Sequence, residues 1–488
     1  MTEPDKSKED KKPKGMAAFT VVWVGQLVSV LGSAMTQFAL MIWIWQETGQ
    51  ATAMALMGFF TFVPMVIMMP IAGALVDRWN KKLAMMMGDL AAGLGTVAIL
   101  LLFQNGALEI WHLYLIGIFI GAFGSFQWPA YSSAITVMVD KKHYARASGL
   151  VGLVGSISGI FGPPMAAFLL GVADISLILI IDIVTFTFAI GVLLLVHIPN
   201  PPPAEDLKSG AKGLFSDAGY GFKYIYQRKP LFGLQMTFFV FNLVSTFGMV
   251  VMMPMILART GSDKLVLASV QSVLALGGVS GGILLAIWGG PRRKINGLLG
   301  GMIIIALIFG IGFGIGQTPL MWMIFGFLAM LMLPTLNGSS QAIWQTKVPA
   351  NRQGRVFAAR MVIAQGAGAV AMVIVGPLAD FYFEPAMMLQ GSLAPTFGWL
   401  VGTGPGAGMG LMILFSSILS MFVGIIAYRI RIIRNVERII PDADPKTRLD
   451  DYRKQLARTH KKGKYSKAKC KELYLQEKAK LESGKENN

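Results

Sequence analysis

"GALVDRWNKK", residues 73–82, places an aspartate and three basic residues between two long apolar stretches. The chain around it has 488 residues, of which 54% are hydrophobic and only 14% are charged. Its mean hydropathy is +0.59. Soluble domains carry about 25% charged residues, so this composition indicates a membrane protein. A charged loop in such a chain calls for a physical reason.

Transmembrane helices need about 20 mostly apolar residues each, and twelve stretches meet this requirement. The predicted spans are residues 17–45, 53–76, 83–103, 111–139, 147–172, 175–198, 231–258, 265–289, 295–316, 319–346, 356–380 and 396–428. The sequence therefore predicts an all-α membrane protein.

Basic residues fall almost entirely on one set of loops. Clusters of Lys and Arg occur within 78–82, 141–146, 208–229, 292–294 and 347–355, whereas the opposite loops hold Arg259 and Lys264. Because positive loops stay in the cytoplasm, we expect a multi-pass protein of the cytoplasmic membrane with both termini cytoplasmic.

The net charge of +17 comes from these loops and from two basic tails. Topology and attraction to anionic membrane lipid explain it better than nucleic-acid binding does, so no nucleic-acid partner is expected. Cys470 is the single cysteine, and the four histidines are scattered. The sequence predicts no metal site and no cofactor.

Five regions follow from this pattern. They are an N-terminal tail at 1–16, a six-helix half at 17–198, a cytoplasmic linker at 199–230, a second six-helix half at 231–428 and a basic cytoplasmic tail at 429–488. The linker contains a candidate amphipathic helix, with Leu214, Phe215, Phe222 and Tyr226 facing the membrane.

An internal repeat relates the two halves. "PAYSSAITVMVDKKHYARASGL" (129–150) resembles "NGSSQAIWQTKVPANRQGRVFAAR" (337–360), and each leads to a Gly-Pro pair in the next span, at 162–163 and 376–377. Both segments carry a Ser-Ser pair, and in both an arginine, Arg146 or Arg355, opens the next helix. Two parallel halves related by an axis along the membrane normal are typical of one large class of secondary transporters.

Three motifs resemble those of the major facilitator superfamily. The first is the 73–82 stretch, which is similar to the motif of the loop between spans 2 and 3. The second, in span 5, resembles the antiporter motif of drug-efflux members. The third, span 11 with its following loop, is similar to the macrolide-efflux branch of drug:proton antiporters. The matching residues of the first two are Gly73, Asp77, Arg78, Lys81 and Lys82, then Gly155, Gly159, Gly162 and Pro163.

The resemblance implies a cytoplasmic gate. Asp77 would meet the N-terminus of span 11 near Arg355, with Arg146 as its other partner, when the inner face is closed. Arg78, Lys81 and Lys82 have an alternative role as topology signals. The glycines of span 5 are equally compatible with simple helix packing.

The family architecture also implies that spans 1, 4, 7 and 10 line a central cavity. Uncharged polar groups among aromatic residues suit a lipophilic ligand, and no Lys or Arg lies at the middle of a span. Some of these groups are alternatively bonded between helices. The candidates are Gln26, Gln37, Gln127, Trp128, Tyr131, Asn242, Asn337, Gln341 and Trp344.

Acidic residues inside a span are costly and are therefore candidates for proton coupling. Asp182 in span 6 and Asp89 in span 3 are the two candidates, although both lie on helices that the family places peripherally. A structural hydrogen bond is the alternative. Asp380 and Glu384, where span 11 meets the outer loop, are candidates for a gate or a turn.

These features predict a monomeric secondary transporter that exports a hydrophobic or amphipathic small molecule, of drug or macrolide type, in exchange for protons. The alternatives are a siderophore or metabolite exporter, a lysophospholipid flippase, and a non-transporting membrane receptor. No G-x-x-x-x-G-K-[ST] loop occurs in the chain, so an ATP-driven pump is not favoured, and no enzyme activity is expected.

Asp77→Asn tests the gate. We expect export to fall severalfold while membrane insertion is retained, because a partly buried carboxylate at a helix N-terminus is worth up to about 2 kcal/mol. Export from intact cells and protein content of the membrane fraction are the measurements. Normal export by a well-expressed variant would remove the gate role.

Overall fold

A computed structural model describes residues 15–78, 80–140, 143–196, 211–349, 352–443 and 472–476. Within these residues, twelve helices are long and apolar enough to cross a membrane, as the sequence predicted. We number them spans 1 to 12. Span 1 begins and span 12 ends on the same side, here called the termini side; the opposite side is the far side.

The spans of the first half are Gly15–Thr48, Ala51–Arg78, Lys81–Gln104, Ile110–Gly124 with Gln127–Met138, Tyr144–Val172, and Ile175–Leu195. Those of the second half are Lys229–Arg259, Lys264–Trp288, Lys294–Phe309 with Gly310–Ile315, Pro319–Lys347, Gln353–Leu378 with Ala379–Phe383 and Glu384–Met387, and Ala407–Arg429.

Three spans differ from the sequence expectation. Span 11 continues past its predicted end at 380 to Met387, and the other two differences have local chemical reasons. Span 4 is interrupted between Gly124 and Gln127, just before Pro129, which has no amide hydrogen to donate to the preceding turn. Span 12 begins at Ala407 and not at 396. The segment before it forms a separate short helix, Ala394–Val401, followed by Gly402, Gly404 and Gly406 at φ of 82°, 96° and 80°. This left-handed backbone ends one helix and redirects the chain into the next.

The two halves repeat one packing arrangement. In the first half, span 1 packs on spans 5 and 6, span 2 on span 4, and span 3 on span 6. In the second, span 7 packs on spans 11 and 12, span 8 on span 10, and span 9 on span 12. Between the halves, span 2 packs on span 11 and span 5 on span 8. Each pair has its counterpart six spans later, which is the parallel repeat of a transporter fold.

Glycines allow the closest of these helix contacts. A Cβ at Gly121 of span 4 would lie 2.0 Å from the carbonyl oxygen of Thr61 in span 2. A Cβ at Gly281 of span 8 would lie 2.1 Å from that of Leu331 in span 10. These are equivalent contacts in the two halves. In lipid, close backbone approach of this kind is a main source of helix association.

The linker helix, Ala211–Gln227, lies against the second half. Tyr224 and Ile225 are buried, Gly221 sits on the backbone of Arg355, and the Tyr224 hydroxyl donates to the carbonyl oxygen of Lys347 over 3.4 Å. Phe222 and Tyr226 are exposed. Leu214 and Phe215 are outside the residues whose side chains the structure describes.

The chain after span 12 crosses the termini side of the second half. It forms the turns Arg431–Arg434 and Val436–Ile439. The Glu437 carboxylate accepts from the amides of Lys294 and Ile295 at the start of span 9, both over 3.1 Å. Lys347, at the end of span 10, pairs with Asp442 over 2.6 Å. We call residues 431–443 the strap.

Gly281→Ala tests the close packing. An added methyl would meet the Leu331 carbonyl, so we expect a loss of about 1–3 kcal/mol and a lower melting temperature in detergent. Gly282→Ala is the matched control, because nothing lies within 4 Å of its added Cβ; alanine favours a helix over glycine there. Equal melting temperatures for the two variants would contradict the role of Gly281.

Candidate functional site

The far side of the molecule is held closed by polar contacts between the halves. Asp380, at the far-side end of span 11, accepts from the amides of Ala51 and Thr52 at 3.0 and 2.7 Å and from the Thr52 hydroxyl at 2.5 Å. A carboxylate is favoured at this position because the N-terminus of span 2 carries unpaired amides and a positive dipole end. One turn earlier, Gly376 lets the span 11 backbone lie directly on Thr52.

Spans 5 and 8 make the second set of contacts between the halves. Lys264 donates to the carbonyl oxygen of Leu170. Ser272 donates to that of Ile160 over 2.7 Å. Nearby, the Trp45 indole donates to Ser262 over 3.1 Å. The bonds from Ser272 and Trp45 join uncharged partners and contribute about 0.5–1.5 kcal/mol each, whereas a bond from a charged group such as the Lys264 ammonium contributes about 1.5–3 kcal/mol.

A cavity of about 370 Å³ lies in the first half, towards the second. Span 11 contributes Met372 to its wall, beside Met41, Met57 and Met65. The remaining lining is mostly apolar, with a few polar groups. The polar lining residues are Ser33, Thr36, Gln37, Thr61, Thr96 and Asp182.

A second cavity, of about 300 Å³, lies between spans 1, 5, 7 and 8. Gln37 and Met41 line this cavity as well as the first. Ser158 and Gln271 also line it, and neither the Ser158 hydroxyl nor the Gln271 amide nitrogen has a hydrogen-bond partner among the described residues. Polar groups left unpaired at the boundary of the two halves are available to a ligand.

Asp182 belongs to the first cavity. Its carboxyl oxygens accept from Ser33 at 3.2 Å and from Thr96 at 2.9 Å, and 3% of the residue is exposed. Gly32 permits this geometry, since a Cβ there would lie 2.3 Å from the Thr185 hydroxyl. Although span 6 is peripheral in the family, its carboxyl group reaches the cavity.

Asp89 has a different environment. The amide nitrogens of Gln26 and Gln127 donate to its two oxygens over 2.7 and 2.8 Å, and Gln127 also donates to Gln26 over 3.1 Å. Two residues predicted to line a cavity are thus bonded to one of the predicted proton-coupling residues. This cluster joins spans 1, 3 and 4.

The other predicted cavity residues have varied positions. Tyr131 is buried, with no partner for its hydroxyl among the described residues. Asn242 donates to the carbonyl oxygen of Ala364 over 3.4 Å, and Asn337 is exposed. Gln341 and Trp344 both contact a residue that the sequence reasoning missed, Arg360.

Arg360 lies in span 11, with its guanidinium bonded to Gln341 at 2.8 Å and Ser340 at 2.7 Å. It also lies 5.4 Å from the centre of the Trp344 ring. No carboxylate pairs with it in the described part of the chain. The signal available in the sequence was an arginine inside a predicted span, which is rare and usually functional.

The predicted gate is only partly described. Gly73, Asp77, Arg78, Lys81 and Trp128 lie outside the residues whose side chains the structure describes. Lys82 donates to the carbonyl oxygens of Leu194 and Val196, at the end of span 6. Arg146 is exposed, and the Arg355 guanidinium lies 5.2 Å from the centre of the Tyr220 ring in the linker helix.

The motif glycines of span 5 divide into two kinds. A Cβ at Gly162 would lie 2.9 Å from Ala34 in span 1, and one at Gly159 would lie 3.4 Å from Ala275 in span 8. Gly155 has open space around it. Gly159 and Pro163 line the second cavity.

Glu384, the other acidic candidate at the far side, accepts from the amides of Gly406 and Met409 at 3.0 and 2.7 Å and so fixes the start of span 12.

Comparison with known proteins gives a consistent family. The family model described as Major Facilitator Superfamily matches residues 22–372. "Macrolide efflux protein A" of Streptococcus pyogenes is 27% identical over 378 residues, covering 74% of this chain and 89% of the relative. "Enterobactin exporter EntS" of Shigella flexneri is 22% identical over 218 residues, covering 44% of this chain and 52% of the relative.

Solved structures agree in fold. A bacterial homologue of the human lysosomal transporter Spinster, in an inward-facing and unoccupied conformation, matches with a TM-score of 0.62 at 15% identity. The match covers 85% of this chain and 98% of that one.

Asp380→Asn tests the far-side contact. One carboxylate oxygen becomes an amide NH2 group, which cannot accept from the amide of Ala51 or of Thr52, and hydrogen bonds to charged groups are worth about 1.5–3 kcal/mol. We expect spin labels at Gln50 and Leu389, in a Cys470→Ser background, to show a larger fraction of long distances. Double electron–electron resonance is the measurement.

Asp174→Asn is the matched control for this experiment. Asp174 accepts from the Ser176 amide within one half, and asparagine serves equally well at a helix N-terminus. Its distance distribution should match that of the parent. An unchanged distribution in Asp380→Asn would show that this contact does not hold the far side closed.

Proposed function

This chain belongs to the Major Facilitator Superfamily, whose members are transporters and not enzymes, and we propose that it exports a hydrophobic or amphipathic small molecule of the macrolide-like class. The observation that carries the proposal is the first cavity, whose wall includes Met372 of span 11. The names of two relatives, a macrolide efflux protein and an enterobactin exporter, support export as the direction.

The lining of that cavity suits a lipophilic ligand. Met41, Met57, Met65 and Met372 present flexible, polarizable side chains that adapt to different shapes. A small number of polar groups among apolar ones is the usual composition of a small-molecule site. No Lys or Arg is among its lining residues in the described part of the chain, so it offers no cation to a phosphate or sugar acid.

Alternating access fits the distribution of contacts. The far-side hydrogen bonds of Asp380 and Lys264 must break when the far side opens, and so must the bond of Ser272, deeper between spans 5 and 8. The proposed gate of Asp77 with span 11 would form on the termini side in that second state. We further propose that the termini side is cytoplasmic, because the basic loops lie there.

We propose proton antiport with Asp182 as the coupling residue. The groups that donate to it, Ser33 and Thr96, are hydroxyls, which can rotate and accept a hydrogen bond instead. A proton on Asp182 can therefore be accommodated. Asp89 receives amide N–H groups, which only donate, so these groups offer no acceptor to a proton on Asp89. Asp89 is better suited to holding spans 1, 3 and 4 together.

A siderophore is the second candidate substrate class, on the strength of the enterobactin exporter relative. The unpaired polar groups of Ser158 and Gln271 in the second cavity favour a ligand with more hydrogen-bonding capacity than a simple hydrophobic drug. Efflux of a macrolide and of a siderophore from preloaded cells distinguishes the two substrate classes.

Efflux from preloaded cells tests the proposal. Cells expressing the protein are loaded with a macrolide, a lipophilic dye or a siderophore, and loss of the compound is followed with and without a protonophore. We expect the macrolide or dye to leave faster, and the protonophore to abolish the difference. Asp182→Asn should lower export driven by the proton gradient by tenfold or more, with ligand binding retained in the purified protein.

Thr187→Val is a control in the same span, because Thr187 is exposed and donates only to the carbonyl oxygen of Ile183. Its export should equal that of the parent. Export that persists with the protonophore would remove proton antiport. Faster loss of the siderophore alone would select the second candidate, and no faster loss of any compound would contradict the proposed function.

A further inference from the structure

A third cavity, of about 440 Å³, opens on the outer surface of the second half, away from the two cavities at the boundary between the halves. Spans 8 and 9 both pack on span 10, which forms its back wall through Leu331, Met332 and Thr335. Its rims are formed by Leu284 and Trp288 of span 8 and Ile304 of span 9. These three side chains are exposed by 52%, 64% and 43%, as expected of residues that face lipid. We call this cavity the span 8–9 groove.

Glycines give the groove its depth. At Gly297 and Gly301 an added Cβ would meet Ser339 and Leu336 of span 10, so these two residues bring the helices together. Gly300, which also lines the groove, has nothing within 4 Å of an added Cβ. The space above Gly300 is therefore open. From Gly297 to Ile304 the helix rises by about 10 Å, which is most of one leaflet of a hydrocarbon core about 30 Å thick.

The mouth of the groove, at Pro291 on the termini side, is basic. Arg292, Arg293 and Lys294 follow in sequence. The Arg293 guanidinium is bonded to the Arg434 carbonyl oxygen, and the Lys294 ammonium to that of Gly289. Arg292 is exposed and has no hydrogen bond or ion pair with any residue of the described ranges.

Within the described ranges, no carboxylate pairs with Arg292 at this mouth. Glu437 of the strap is bonded beside this mouth, where its carboxylate accepts from the amides of Lys294 and Ile295. An apolar groove that spans most of a leaflet, with a cation at the level of the headgroups that no described carboxylate pairs, is complementary to a lipid with an acyl chain and a negative headgroup. Trp288 at the rim has the amphipathic ring that favours this interface.

We propose that the span 8–9 groove binds an anionic phospholipid of the termini-side leaflet, with one acyl chain over Gly300 and its phosphate at Arg292. The site is separate from the proposed transport cavities, so it stands whether or not the proposed substrate is correct. A zwitterionic lipid would fill the same groove but would lack the net charge that Arg292 recognises.

Quenching of tryptophan fluorescence by brominated lipid tests this. The purified full-length protein is placed in phosphatidylcholine nanodiscs that contain, at equal mole fraction, either phosphatidylglycerol or phosphatidylcholine with brominated acyl chains. Subtracting the fluorescence of the Trp288→Phe variant from that of the parent protein gives the fluorescence of Trp288 alone. We expect an apparent affinity about fivefold higher for phosphatidylglycerol, the effect of one basic residue at the membrane surface, and a loss of this preference as salt is raised.

Two variants separate the chain from the headgroup. Arg292→Gln, on the surface, should remove the preference while leaving quenching by both lipids. Gly300→Leu should fill the open space and reduce quenching of Trp288 by both. Gly191→Leu is the matched control, since a Cβ at Gly191 of span 6 also meets nothing within 4 Å. In this variant, quenching of Trp288 by both lipids should equal that in the parent.

Equal quenching by the two lipids in the parent protein would mean ordinary annular lipid only, and it would overturn the proposal. A preference that survives Arg292→Gln would overturn the assignment of the headgroup to this residue. Undiminished quenching in Gly300→Leu, in protein with the parent's melting temperature, would overturn the position of the chain.

Discussion

The carboxylate of Asp380 at the N-terminus of span 2 accepts three hydrogen bonds from the opposite half, more than any other described side chain makes between the halves. Several helices of this protein begin on an acidic side chain: Asp174 serves span 6, Asp263 span 8, Glu384 span 12 and Glu437 span 9. Each of these pairs lies within one half. Among the described residues, Asp380 alone caps a helix of the opposite half. A contact that stabilises a single helix elsewhere therefore also sets the position of one half against the other.

This dual role sets a limit on strength. Span 2 packs on span 11 and span 5 on span 8, and the two states of a switching protein differ by only a few kcal/mol, so the contacts between the halves must be breakable. Among the described residues the polar contacts between them are few, and those of Asp380 and Lys264 join a side chain to a backbone group at a helix end. Such groups can be satisfied by water when the contact opens, whereas groups in the hydrocarbon core cannot. The position of the Asp380 and Lys264 contacts near the surface keeps the movement reversible.

The sequence predicted the parts of the fold that depend on local composition. The number of spans follows from hydropathy, and the parallel repeat follows from short motifs. Neither signal depends on which helices are neighbours in the folded protein. The start of span 12 was wrong, because hydropathy does not register the left-handed glycines at 402, 404 and 406. The direction in which a polar side chain points depends on tertiary packing. Gln26 and Gln127 therefore could not be distinguished from Gln37 by sequence, although the first two are bonded to Asp89 and only Gln37 of the three lines the cavities.

The strap has a consequence for how movement in this protein can be observed. Glu437 fastens it to the start of span 9, Lys347 fastens it to the end of span 10, and the chain itself joins it to span 12. On the termini side, these three helix ends form one mechanical unit. A spectroscopic probe on any one of these helix ends should therefore report the displacement of all three. Two probes placed on different helix ends of this unit should keep a fixed separation through the whole transport cycle. Pairs chosen to follow that cycle therefore need one member outside the unit, which makes the unit itself a natural internal reference.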